Sequence, residues 1–199
     1  MKLFIDSATN YLYLAIVNND IVHTFSRSGK NDHSETLVYY LENFLKEHMI
    51  SVEDIKEVYV GRGPGSYTGL RIAGTVAKVY AFIKNLPLYS FSSLDLLFAR
   101  YIEQDGKYKV VLKAKKNYSY LKAFTVANGN ITVDQTDVFL EDIELEKYAD
   151  YVTITADDNS FTSSEILPQN ILKYKLYKEE NTYTYVPNYL RSEFSWLGL

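Results

Sequence analysis

The chain has 199 residues, 47% hydrophobic and 23% charged, enough apolar side chain for one globular unit or a compact lobe with a smaller one. A net charge of −4 and a sequence pI of 5.4 argue against a chain that holds nucleic acid by itself, because phosphate contacts need a basic surface. There is no cysteine, which excludes disulfide frameworks, cysteine-ligated zinc, iron–sulfur clusters and thiol catalysis, and which fits a reducing cytoplasm. From the N-terminus, Lys2–Asp6 alternates as a strand, too polar for a signal peptide, and turns at Ser7–Asn10. Tyr11–Val17 and Ile21–Arg27 follow as strands around the turn Asn18-Asn19-Asp20, predicting an antiparallel meander. Asp32 and Glu35 have capping-box spacing for a helix with Leu37, Leu41, Phe44, Leu45 and His48 at helical period. Glu57–Gly61 reads as a short buried strand.

Gly61-Arg62-Gly63-Pro64-Gly65-Ser66-Tyr67-Thr68-Gly69 breaks regular structure and feeds a helix that runs to about Lys84. Leu88–Phe91 is a strand, and Ser92 or Ser93 caps a helix to about Ile102. Tyr108–Lys113 and Tyr120–Val126 form a hairpin, and Ile131–Val133 adds a strand. Leu140–Tyr148 reads as a helix and Tyr151–Thr155 as a strand. Asp157–Ser164 is polar loop, and Leu172–Tyr177 and Thr182–Val186 are extended. The order is that of a mixed α/β domain. No run of about 18 apolar residues predicts a membrane helix.

The glycine loop fails three standard tests. It lacks the spacing of a Walker loop. It lacks the third glycine of a dinucleotide fingerprint and an acidic residue about 20 positions on. Ser66 has Pro64 and Thr68 where a nucleophile elbow needs glycines. Two readings remain: Ser66 caps the helix in a tight strand-to-helix turn, or the helix N-terminus meets an anion. The helix itself is apolar around most of its circumference, with Arg71, Thr75 and Lys78 on a narrow polar stripe and Gly74 between them. Such a helix needs burial on more than one side. Gly69, Ala73, Ala77 and Ala81 recur every four residues, which suits either an internal layer or a subunit interface.

Gly61-Arg-Gly-Pro-Gly-Ser-Tyr-Thr-Gly-Leu-Arg-Ile-Ala-Gly74 resembles the signature of the TsaB/YeaZ family. Ile5-Asp-Ser-Ala-Thr9, His33-Ser-Glu35, Pro187-Asn-Tyr-Leu-Arg191 and Trp196 are similar to further family positions. The resemblance is clear over residues 1–126 and 186–196. It implies an actin/hexokinase-like (ribonuclease H-like) mixed sheet with flanking helices. The expected division is an N-terminal lobe over 1–104 and a reduced C-terminal lobe over 105–199. It also implies a cytoplasmic, non-catalytic scaffold, homodimeric when alone, for a TsaD subunit that transfers threonylcarbamoyl to adenosine 37 of tRNA. TsaD carries the metal and the chemistry, a TsaE-like ATPase joins the pair, and tRNA is met only through the complex.

Interface candidates are His33, Leu37 and Leu41 on the first helix, and Tyr67, Leu70, Arg71, Gly74, Thr75 and Lys78 on the second. Candidate anion or nucleotide contacts are Asp6, Gly63, Gly65, Ser66 and Lys115. No metal site or cofactor of the chain's own is expected, with ATP or a threonylcarbamoyl-AMP-related nucleotide assigned to the partner interface. The chain departs from the pattern in three places. Leu37 stands four residues after His33, where TsaD-like proteins have a second metal-binding histidine. Lys113-Ala-Lys-Lys116 replaces an Asp-Ala-Arg-Arg-like turn, so its lysines are either a solvated turn or phosphate contacts. Thr155–Val186 is short. As for Asp6, an actin-type ATPase would use this aspartate for metal and phosphates, while a local turn role is the simpler reading. The competing function is a small actin-like ATPase or a peptidase acting alone.

Overall fold

The computed structural model describes residues 1–29, 33–156, 160, 161 and 164–190, and of residues 33–35 only the backbone. The proposed cap at Asp32, and Arg191 and Trp196, lie outside the described residues.

The meander forms as its turn signals demand: β1 (Lys2–Asp6), β2 (Tyr11–Asn18) and β3 (Ile21–Ser28) pair antiparallel. Asn19 adopts a positive φ in the turn between β2 and β3, a conformation asparagine tolerates well. The first helix, α1 (His33–Glu47), returns the chain so that β4 (Glu57–Gly61) lies parallel to β1. The long helix α2 (Tyr67–Lys84) then crosses to β5 (Leu88–Phe91), again parallel. A short buried helix, α3 (Ser93–Phe98), leads into a second sheet. Its antiparallel strands are β6 (Gly106–Lys115), β7 (Tyr118–Ala127) and β8 (Asn130–Glu141), with β9 (Val152–Ile154) parallel to β6. Then α4 (Ile166–Lys173) leads to β10 (Tyr177–Glu180), which closes the first sheet in the order β10-β5-β4-β1-β2-β3.

Strand alternation explains the layers. Along the first sheet Leu3, Ile5, Leu14, Val58 and Val60 face α1 and α2, while Phe4, Tyr13, Ala15 and Tyr59 face the other way. That second face shares one core with α3, α4 and the inner face of the second sheet, where Phe98 stacks on Phe124 at 3.8 Å between ring centroids. The two sheets are thus joined through continuous apolar packing.

Three expectations change. Residues 130–141 form one long strand, and the stretch expected as a helix from Leu140 becomes a 3-10 segment over Asp142–Tyr148. The window expected as a strand or extended segment from Leu172 begins instead as the end of α4, with Pro168 in its first turn, where proline's missing N–H costs no helical bond. Residues 166–190 return to the first layer as a helix, an edge strand and a strap, so only 106–154 of the expected second lobe builds the second sheet. Among the described residues no helix is long and apolar enough to cross a membrane.

Candidate functional site

Three elements meet the burial demand of α2. Its small-residue stripe lies on the first sheet, with Ala73, Ala77 and Ala81 fully buried there. A Cβ at Gly69 would sit 1.9 Å from the Ser7 carbonyl oxygen, so the helix touches the β1–β2 turn where only glycine fits. On a second side α1 packs against α2, and Leu41, Ile72, Val76 and Tyr80 flank the core they share. The third covering is the chain's own C-terminal strap. Tyr185 and Pro187 close over Gly74, Lys78 donates to the Tyr183 carbonyl at 3.1 Å, and Tyr183 meets Phe82 edge-on at 5.3 Å. The Asn188 N–H donates to the Arg62 carbonyl at 2.7 Å, and Tyr189 packs on Tyr67 at 5.0 Å.

This geometry sorts the interface candidates. Tyr67, Arg71 and Thr75 lie on the outer surface, with Arg71 over the Tyr67 ring. Leu37 and Leu70 are core residues and Leu41 is half-buried, because the stripe that gives each helix its period is the stripe the core takes. Gly74 is covered by the strap and Lys78 is tied to it. The His33 side chain lies outside the described residues. Exposed apolar residues that period alone did not single out extend the face: Val38 and Tyr39 on α1, and Val79, Phe82 and Ile83 on α2. Gly74→Leu should therefore lift the strap. Limited proteolysis should cut the 181–190 segment faster than in the parent chain, with cleavage in α1 unchanged.

The anion candidates divide as well. Ser66 caps α2, its Oγ accepting from the Gly69 N–H at 3.2 Å, and its own N–H donates to the Ala8 carbonyl at 2.7 Å. Gly65 and Ser66 line one wall of a cleft of about 1130 Å³ between the two sheets. Gly63, with φ +93°, faces Leu70 and the Asn188 carbonyl instead of the cleft. Asp6 lies beneath the loop and is 1% exposed. Its Oδ1 accepts from the Ala8 N–H at 3.0 Å, its Oδ2 accepts from Ser93 Oγ, and a Cβ on Gly61 would be 1.7 Å from that oxygen. Burial pushes its carboxyl up to about 6, against the lowering effect of the Ser93 and Ala8 hydrogen bonds. The local turn role of Asp6 is what this geometry provides, and as an anion or metal contact Asp6 is sealed.

Lys115 is not a cleft residue. The β6–β7 ladder shifts register between Lys113 and Lys115, which turns Lys115 onto the rings of Tyr118 at 4.5 Å and Phe139 at 5.8 Å. The second sheet lines the cleft with Leu112, Ala114 and Tyr120, with Thr153 and Thr155, and with Lys109 and Lys113, which lie on the face that packs against the Asp142–Tyr148 segment. Lys109 donates to the Tyr148 carbonyl at 2.8 Å, and Lys113 pairs with Asp142. Alternation along β6 puts Lys109, Val111 and Lys113 on one face, a signal present in the sequence that the motif at residues 113–116 overshadowed. As for the remaining histidines, the His23 and His48 rings stack at 4.0 Å. Burial, then the neighbouring His48, lowers the His23 imidazole below its usual range.

Residues 26–165, more than half of the chain, match the family described as tRNA N6-adenosine threonylcarbamoyltransferase, TsaD. The tRNA threonylcarbamoyladenosine biosynthesis protein TsaB of Bacillus subtilis is 28% identical over 152 residues, 74% of this chain and 66% of that protein. TsaB of Buchnera aphidicola (from Acyrthosiphon pisum) is 26% identical over 196 residues, 94% of this chain and 83% of its own. The solved structure of YeaZ from Pseudomonas aeruginosa superposes with a TM-score of 0.76 at 18% identity, covering 95% of this chain and 99% of that one. With a two-sheet architecture that matches YeaZ over nearly its whole length, and a TsaD-type domain across its middle, this chain belongs to the TsaB/YeaZ family and has its actin/hexokinase-like fold.

Proposed function

We propose that this chain is a non-catalytic partner subunit in the synthesis of threonylcarbamoyladenosine in tRNA, and that it docks a TsaD-type subunit through the outer faces of α1 and α2. The observation that carries this reading is the outer face of α2. Tyr67, Val79, Phe82 and Ile83 stay exposed on a helix that the first sheet, α1 and the strap already cover on its other sides. Val38 and Tyr39 extend the apolar surface onto α1. Exposed apolar side chains interspersed with Arg71 and Thr75 suit a protein partner. A stable association there would bury ~1,600 Å² in total.

In this reading the chain pairs with a second copy when alone and works in the cytoplasm. A TsaE-like ATPase and tRNA are met only through the complex, and any ATP or threonylcarbamoyl-AMP-related nucleotide sits at the partner interface. The burial of Asp6, with both its oxygens taken by Ala8 and Ser93, supports a non-catalytic role. Arg71→Glu and Thr75→Arg, both on the outer surface, should each weaken co-purification with the TsaD-type subunit at least tenfold while the fold is kept. Wild-type affinity in both variants would sink the interface assignment. The alternative, an actin-like ATPase acting alone, draws its support from the cleft between the sheets, which Ser66 and Lys113 both line. ATP turnover by the pure isolated chain would establish it, and we expect none.

A further inference from the structure

The cap and first residue of α3, Ser92 and Ser93, add polar links between parts of the molecule that the apolar core also joins. Ser93 Oγ donates to Asp6 on β1 and accepts from the Gly63 N–H at 3.2 Å, while the Ser93 N–H donates to the Gly63 carbonyl at 2.9 Å. The neighbouring Ser92 faces the other way. Its Oγ donates to Asp137 Oδ1 on β8 at 2.8 Å and accepts from the Leu94 N–H at 3.2 Å. Asp137 lies 3.8 Å from Lys122 on β7, and Lys122 forms an ion pair with Asp95 of α3 at 2.6 Å. Arg62, one residue before Gly63, approaches the other oxygen of Asp137 at 3.9 Å. Ser92, Ser93, Asp6 and Asp95 are each 5% exposed or less, and the side chains of Lys122 and Asp137 are 11% and 7% exposed.

A polar chain therefore runs without a break from β1 and the glycine loop, through the two serines, to β7 and β8. The alternatives for each group are poor. A buried hydroxyl or charge that loses its partner has no water to replace it. A movement of β7 and β8 must carry Asp137 and Lys122 with it, and so pull on Ser92, Asp95 and Arg62. Gly63 is bonded to Ser93 on both its N–H and its carbonyl, so the loop cannot stay still while α3 shifts. The loop in turn holds the first turn of α2, because the Ser66 N–H is bonded to Ala8 and the Leu70 N–H to the Ser66 carbonyl at 2.9 Å.

We infer that Ser92 and Ser93 form a coupling hub through which the position of the second sheet sets the glycine loop and the start of α2. The hub would transmit occupancy of the cleft, whose far wall is β6 and β9 of that same sheet, to the outer face of α2. It needs no partner and acts in the isolated chain.

The test is amide hydrogen exchange on the purified chain, comparing the parent with Asp137→Ala and Lys122→Met. Both changes lie in the second sheet. The reporters lie across the hub, at the amides of Gly63, Ser66, Gly69 and Leu70. Control amides are His48 and Ile50 at the end of α1, which bond within the first layer. Asp137→Ala removes the acceptor of Ser92 and is the variant to rely on if Lys122→Met fails to fold. The expected result is exchange accelerated at least fivefold more at the reporters than at the controls, with Lys122→Arg returning the reporters to parental rates. Unchanged reporters in the folded variants would overturn the coupling. Equal acceleration of reporters and controls would also overturn it, because the cluster would then contribute only to global stability.

Discussion

Lys122→Met should destabilise the chain by about 3–5 kcal/mol at pH 7.5, the cost typical of removing one partner from a buried ion pair. The lysine is the cation nearest two buried carboxylates, 2.6 Å from Asp95 and 3.8 Å from Asp137, and its head is screened from water by the second sheet. Arg62, at 3.9 Å, lies about as near Asp137 as Lys122 does, so the loss falls mainly on Asp95. Methionine preserves the volume of the aliphatic stem, so the change reports on charge more than on packing. Burial holds the Asp95 carboxyl above the usual range even with Lys122 beside it, and losing that cation raises it further. At pH 5 the variant binds a proton at Asp95 and the uncompensated charge disappears. The destabilisation should therefore be clearly smaller at pH 5 than at pH 7.5, as measured by urea unfolding at both. A cost under about 1 kcal/mol at pH 7.5, or one that does not change with pH, would show that water reaches the pair.

How much of this was legible in the sequence depends on whether local pattern or distant packing decides each element. The meander, the glycine loop and its helix were legible because turn residues and hydrophobic period act within a few positions. The need of α2 for burial on several sides was legible in its nearly all-round apolar surface. The element that supplies the third covering was not, because Tyr183, Tyr185 and Pro187 stand about a hundred residues away and their alternation does not say which surface they cover. Choosing Leu37 and Leu41 as interface residues followed the strongest stripe on α1, and the strongest stripe is the one the core claims first. Residues 130–141 hid a long strand because its outer face is polar, with Asp134, Gln135 and Thr136 breaking the apolar run. Lys115 was placed by its motif, and a register shift in the ladder moved it. The hub at Ser92 and Ser93 was visible only as a helix cap, since the groups it joins lie on four separate strands or loops.

Acidification should make the chain more stable before it makes it less so, and Asp6 is one cause. Its carboxyl titrates at about 6 in the folded chain and at 3.8 in its absence from that environment. Below pH 3.8 both states carry the proton and the contribution is full. Between 3.8 and 6 the unfolded chain loses its proton while the folded chain keeps it, so stability falls as pH rises. Above 6 the loss is complete and amounts to ~3 kcal/mol from this group, since each pKa unit is worth about 1.4 kcal/mol. Asp6→Asn should remove this part of the slope. An amide oxygen can still accept from the Ala8 N–H, and its nitrogen can donate to Ser93 Oγ, so the variant should be at least as stable as the parent at pH 7.5. Urea titrations at pH 4.5, 6 and 7.5 would read the slope directly. The same variant also tests function. If Asp6 were the carboxylate of a working nucleotide site, its amide would abolish activity of the assembled tRNA-modifying complex. A sealed Asp6 predicts instead that the complex built with Asp6→Asn retains the parental rate, with stability changed and chemistry untouched.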